Sequence, residues 1–192
     1  IRMTKVVNAD SILSGTPKYS GALRGNAADW DVQPKDFVLY CVKYINQWHA
    51  NYLRRGVDQI TKNGVTTTEV RHKPYVENDE LSNLKSASLM SNEYPVSVTN
   101  ASGVKETCTL LLTFDSSNKI TVSTTTAGYS ATGSGTFVPK GEKKSWGNKD
   151  RDAVYLNYNI TSAAGVSYAT KDTLVVRDRG VKIETFTPMY VK

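Results

Sequence analysis

Two histidines, two cysteines and no apolar run near the roughly 20 residues of a membrane-spanning helix set the first limits on this 192-residue sequence. His49 and His72 stand at no metal-ligand spacing and no Cys-x-x-Cys accompanies them, so no zinc site is expected. Gly-x-Ser-x-Gly, Gly-x-Gly-x-x-Gly and phosphate-loop patterns are all missing; Gly133-Ser134-Gly135 reads as a strand-end bend. No cofactor is therefore expected. Carboxylate pairs occur at Asp29/Asp31, Asp79/Glu80 and Asp150/Asp152, but a chain with 18 acids supplies such pairs by chance. With no convergent set of titratable groups, the reading is a protein that is not an enzyme. Lys and Arg form no long run, which argues against a nucleic-acid partner. The net charge of +6 and pI near 9.2 would suit an anionic partner, and simple solubility is the preferred reading of them. Cys41 and Cys108 lie far apart in apolar stretches and read as buried free thiols, with a disulfide between them as the alternative. The chain opens on Ile1, which we read as the start of a processed product or of a piece of a longer precursor.

Helical periodicity is scarce, while apolar alternation and turn signals recur about every ten residues, as antiparallel β-structure requires. The clearest hairpin runs from Asn51 to Arg71 about Asn63-Gly64, two residues suited to the φ > 0 positions of a type I′ turn. A two-residue loop there sets Val57 opposite Val70 and Ile60 opposite Thr67. A second pair spans Val104 to Thr126, with Val104, Glu106, Cys108, Leu110, Leu112 and Phe114 on the core face. Asp115-Ser116-Ser117-Asn118 is its turn, and Ile120 and Val122 continue the apolar face. Strands are expected at Ala153–Thr161, Val166–Arg177 and Val181–Thr187, and at Asp36–Trp48, where a short helix is the alternative. Short connections imply a meander, and a meander of about eight strands closes into an up-and-down barrel without sticky edges. The fold class is all-β: residues 16–192 form the barrel, and residues 1–15 are the end of a preceding domain or a linker.

Two clusters could touch a ligand. Residues 140–152 place Trp146 among Lys144, Asn148 and other polar groups in an expected exposed connection. A sugar could stack there; alternatively, Trp146 plugs the barrel end with Arg151 laid over its ring. The other cluster is Trp48, His49, Tyr52, Arg54 and Arg55, leading into the first hairpin. Eleven Tyr against four Phe further suggest rings whose polar tips reach water.

Two passages, residues 44–56 and 133–158 with their core Lys143-Lys144-Ser145-Trp146-Gly147-Asn148-Lys149-Asp150-Arg151-Asp152, and the ending at residues 172–186, resemble a family of Bacteroidetes surface lipoproteins of unknown function. In that family an Ig-like N-terminal domain precedes a lipocalin-like barrel. The resemblance covers Asn8 to Tyr190 and implies a lipocalin-like barrel on the extracellular face of the outer membrane or secreted, with glycan binding or adhesion as its role. It brings no set of functional residues, and this chain lacks the family's anchor cysteine near its start.

The expected function is a non-catalytic cell-surface module that binds a polysaccharide or host glycan, or adheres to neighbouring outer-membrane proteins. Trp48, Tyr52, Trp146 and Tyr158 are its stacking residues, and Arg54, Lys144 and Asn148 its polar contacts. The rivals are a carrier of a small apolar ligand inside the barrel and a structural or assembly domain. The chain is not expected to span a membrane.

Overall fold

The computed structural model describes residues 5–11, 13–38, 40, 42–182, 184 and 185, and the chain divides into two compact units. The first is Ile1–Lys43 with Lys182–Lys192. Its regular structure is slight: β1 (Thr16–Pro17) pairs antiparallel with β2 (Trp30–Val32), preceded by a single 3₁₀ turn at Ala27–Asp29. Asn26 caps that turn through its side-chain oxygen, and the buried Asp29 accepts from Leu23 N at 2.9 Å and Asn26 Nδ2 at 2.6 Å.

The second unit, Tyr44–Val181, is the barrel; the expected start at residue 16 differs from this boundary. It contains β3 (Ala50–Lys62), β4 (Val65–Arg71), β5 (Glu80–Ser86), β6 (Ser91–Thr99), β7 (Lys105–Phe114), β8 (Lys119–Thr124), β9 (Tyr129–Ser145), β10 (Lys149–Ser162) and β11 (Ser167–Asp178). From β5 to β11 each strand pairs antiparallel with the next, and β11 pairs with β3, which pairs with β5. Eight strands thus close a barrel and β4 is an extra strand on β3. The Asn63-Gly64 turn forms as expected, with φ of 52° and 76°, and the pairs Val57–Val70 and Ile60–Thr67 hold. So does the Asp115–Asn118 turn, in which Asp115 Oδ1 accepts from Ser117 N and Lys119 N.

The core is the inward face of this wall. Cys108, Leu110, Leu112 and Phe114 are buried with Ile120 and Val122, whereas Val104 and Glu106, at the turn end of the β6–β7 hairpin, are exposed. Cys108 is a buried free cysteine; Cys41 lies outside the described residues. Gly133 and Gly135 sit inside β9, not at a strand end, facing Tyr158 and Leu156 of β10. A Cβ on either would press into the β10 backbone and these side chains, so the glycines make room for the close approach of β10.

Two strand expectations fail. Over 36–48 the described residues form no strand beyond an isolated bridge at Phe37, and Val42 is 91% exposed. β-Branched and aromatic residues favour extended backbone, but a strand also needs a ladder. The end of this segment is instead held by a side chain: Asn46 Nδ2 donates to Ser88 O, Ser91 O and Asn92 Oδ1 at 2.8–3.0 Å. At Val181–Thr187, the described residues Val181, Lys182, Glu184 and Thr185 are not in a strand, and 183, 186 and 187 lie outside the described residues. Among the described residues no helix is long and apolar enough to cross a membrane.

Candidate functional site

The inward column of β3 reads Tyr52, Arg54, Gly56, Asp58, Ile60; opposite it on β11 stand Val176, Leu174, Asp172, Thr170, Tyr168. Parity alone therefore directs two carboxylates and a guanidinium into the barrel, at positions that would otherwise hold apolar side chains. Burying them is tolerable only if they pair.

They pair around Asp172, whose side chain is wholly buried. Its Oδ2 accepts from Tyr158 OH at 2.7 Å, Tyr94 OH at 2.9 Å and Arg54 Nε at 3.1 Å, and its Oδ1 from Arg71 Nη2 at 2.7 Å. Arg71 comes from β4, opposite Gly56, while Asp172 faces Gly56 from β11. The missing side chain at Gly56 is what lets the two meet across β3. Arg71 also donates to Asp58 through Nε at 2.5 Å and Nη2 at 3.0 Å, and Thr170 donates to the same carboxylate at 2.6 Å. Arg54 lies over the Tyr94 ring, 5.6 Å from its centroid, and donates to Tyr158 OH at 3.3 Å.

The charge states follow from these contacts. Burial opposes the cation on Arg54 and on Arg71, yet Tyr94, Asp172, Tyr158 and Glu80 around the first, and Asp58 and Asp172 around the second, raise both pKa values. Burial likewise raises Tyr94 and Tyr158, so both hydroxyls stay protonated donors. Burial would raise Asp58 too, but its hydrogen bonds to Arg71 and Thr170 prevail and hold its pKa below the ordinary carboxylate value.

The network reaches the surface where the partner of β3 changes. Ala50–Arg54 pair with β5 and Gly56–Lys62 with β4, so β4 and β5 lie end to end along one edge. The chain between them, residues 72–79, is tied down by Asp79, which accepts from Arg55 Nε at 2.6 Å and Lys73 N at 2.7 Å. A cleft of about 240 Å³ opens at this break, lined by Arg54, Glu69, Arg71, His72, Lys73 and Glu80 among others. Glu80 is half exposed and touches Arg54 at 3.4 Å. Among the described residues, Arg71 Nη1 and Arg55 Nη2 are buried without a hydrogen-bond acceptor. The lining of the cleft brings cationic and anionic side chains together, and buried carboxylates hold its arginines from behind. No group of three or more His, Cys, Asp or Glu able to hold a metal ion occurs among the described residues.

The residues expected to bind divide into two places. Trp48, Tyr52, Arg54 and Tyr158 are buried in the barrel interior. Trp48 stacks on Phe114 with centroids 3.9 Å apart, and Tyr52 OH donates to Trp48 O at 2.8 Å. Arg54 and Tyr158 are brought together within the Asp172 network. Lys144, Trp146 and Asn148 lie at the β9–β10 turn, which strand extends into from both sides. Lys144 and Asn148 are exposed with φ of 43° and 54°. Trp146 is half-buried: Arg151 stands 3.8 Å from its ring centroid and its Nε1 donates to Val176 O at 3.2 Å. Sequence reasoning missed Asp172, Tyr94, Arg71, Asp58, Gly56 and Glu80. The available signal was charge at core parity: Asp172 alternates with Leu174 and Val176, and Arg54 with Tyr52.

The chain is similar to a crystal structure of a protein of unknown function from Bacteroides ovatus, at 43% identity and a TM-score of 0.85. The match takes in 94% of this chain and 58% of that one. No curated protein matches. The family model for a Domain of unknown function (DUF5627) matches residues 47–180, nearly the whole of the barrel unit. The chain belongs to this DUF5627 family.

Proposed function

We propose that the barrel is a non-catalytic binding module for a glycan, with the cleft between β4 and β5 as its site. The observation that carries this reading is the mixed lining of the cleft. Arg54, Arg71 and Lys73 supply donors, Glu69 and Glu80 supply acceptors, and His72 can supply either. A pyranose presents hydroxyls that each donate and accept, so it matches such a lining better than an ion of one sign would. The buried carboxylates behind fix the arginines before a ligand arrives, which lowers the ordering cost of binding.

The filled interior at Trp48, Tyr94 and Tyr158 speaks against a carrier of an apolar ligand inside the barrel. Exposed hydrogen bonds contribute about 1 kcal/mol each, so one site binds weakly and many copies on a cell surface would bind by avidity. Placement on the outer surface of a Bacteroidetes cell, in adhesion or glycan capture, fits this reading and the similarity to the Bacteroides ovatus protein.

The test is a glycan array probed with the chain, with Glu80→Gln and with Trp146→Ala. We expect retained oligosaccharides whose signal falls in Glu80→Gln and persists in Trp146→Ala. The reverse pattern would move the site to the β9–β10 turn, and an array without signal would overturn the glycan reading.

A further inference from the structure

The sheet ends at β4, which has β3 on one side and, among the described residues, no strand on the other. Every residue from Lys62 to Val70 is exposed, on both faces of the ribbon. The two-residue turn makes Lys62–Val65 the first hydrogen-bonded pair of the ladder. Counting on by twos, Val65, Thr67, Glu69 and Arg71 direct their N–H and C=O groups to β3. Thr66, Thr68 and Val70 therefore turn theirs to the open edge. The 2.8 Å contact between Thr61 Oγ1 and Thr66 Oγ1 fits, since it belongs to a close, non-hydrogen-bonded pair.

Open edges are normally blunted by proline, lysine, bulges or covering groups. The other open edge of this barrel is blunted. β6 beyond Asn92 and Glu93 has no ladder with β5, and there it carries Pro95, while Tyr168 OH accepts from Thr99 N at 2.6 Å and donates to Thr99 O at 3.0 Å. Among the described residues β4 carries no proline, lysine, bulge or covering group, and its charged residues Glu69 and Arg71 turn their backbone groups to β3; Val65-Thr66-Thr67-Thr68-Glu69-Val70-Arg71 pairs with β3 in unbroken register and is rich in β-branched residues.

We propose that β4 pairs antiparallel with β4 of a second copy of this chain, about a two-fold axis at Thr68. In that register Thr68 faces Thr68 of the partner subunit, and Thr66 faces Val70 of the partner subunit. Every open-edge N–H and C=O of Thr66, Thr68 and Val70 then finds a partner. Charge fits as well: Glu69 faces a threonine and Arg71 a valine, so no like charges oppose. Sliding by two residues one way sets Glu69 against Glu69 of the partner subunit, and the other way leaves Val70 unpaired. The contact is isologous and closes on itself, so it yields a dimer and not a fibre. It also sets two clefts beside one axis, because Glu69, Val70 and Arg71 line each of them.

Sedimentation equilibrium of the chain over a dilution series, with Thr68→Pro beside it, reads the association. Proline at 68 removes an N–H that faces the open edge and none that β3 uses. We expect a monomer–dimer equilibrium that Thr68→Pro shifts at least tenfold towards monomer. Oxidation of Thr68→Cys gives the register independently. Paired residues of this kind lie about 5.5 Å apart at Cα, within disulfide reach, so Thr68→Cys should form a covalent dimer that neither Glu69→Cys nor the parent chain forms. A monomer at every concentration, a dimer untouched by Thr68→Pro, or equal cross-linking by Glu69→Cys would overturn the proposal.

Discussion

Replacing Asp172 by asparagine keeps the shape of the side chain and removes its charge, and the structure fixes what that should cost. Asp172 is acceptor to four donors, two from arginines and two from tyrosines. An amide keeps one acceptor oxygen and turns an NH2 group towards Arg71 or towards Arg54 and the two hydroxyls. The Arg54 side chain is 6% exposed and Arg71 15%, so neither can recover its loss in water. Removing one partner of a buried ion pair costs about 3–5 kcal/mol, about a fifth or more of the stability of an ordinary domain. Tyr94→Phe removes a neutral donor and leaves Asp172 three others, so it should cost only about 1 kcal/mol. Urea unfolding followed by tryptophan fluorescence measures both, since Trp48 lies in the core stacked on Phe114. An Asp172→Asn chain within about 1 kcal/mol of the parent would refute the view that this network organises the barrel interior.

Two further outcomes follow from the same residues. Gly56→Ala should destabilise by about 1–3 kcal/mol or more, since its Cβ would press on Lys171 O and Asp172 Oδ1; a neutral thermal melt would contradict the packing across β3. Asp58 has a depressed folded pKa, so its contribution is complete above the unfolded carboxylate value of about 3.9 and is lost as pH falls through the lower folded value. Unfolding midpoints taken from about pH 5 down to about pH 2 should fall less steeply in Asp58→Asn than in the parent, and parallel slopes would count against the Arg71–Asp58 pairing.

What could be read from the sequence was local. The Asn63-Gly64 turn fixed the β3–β4 register to the residue, because a two-residue loop permits one arrangement of partners. Alternation likewise exposed the core faces of β7 and β8. The segment 36–48 misled, since the composition that favours extended backbone says nothing of whether a ladder partner stands beside it. The tyrosines misled in part: Tyr19, Tyr40, Tyr44 and Tyr75 are exposed as expected, but Tyr52, Tyr94, Tyr158 and Tyr168 are buried with their hydroxyls bonded to groups of the protein. The cleft was out of reach for a topological reason. Arg54, Arg71 and Asp172 meet only because β11 closes the barrel onto β3 while β4 and β5 share the other edge of β3, pairings that join distant parts of the chain. The charged residues at core parity were visible; their mutual partners were not.

The proposed site between β4 and β5 is tested by an amide chemical-shift titration of the isotope-labelled chain with the neutral oligosaccharide best retained on the array. Saturable shifts confined to residues 69–73, 79 and 80 and the neighbouring Arg54 are expected. Shifts centred on Lys144, Trp146 and Asn148, with the cleft silent, would contradict that placement.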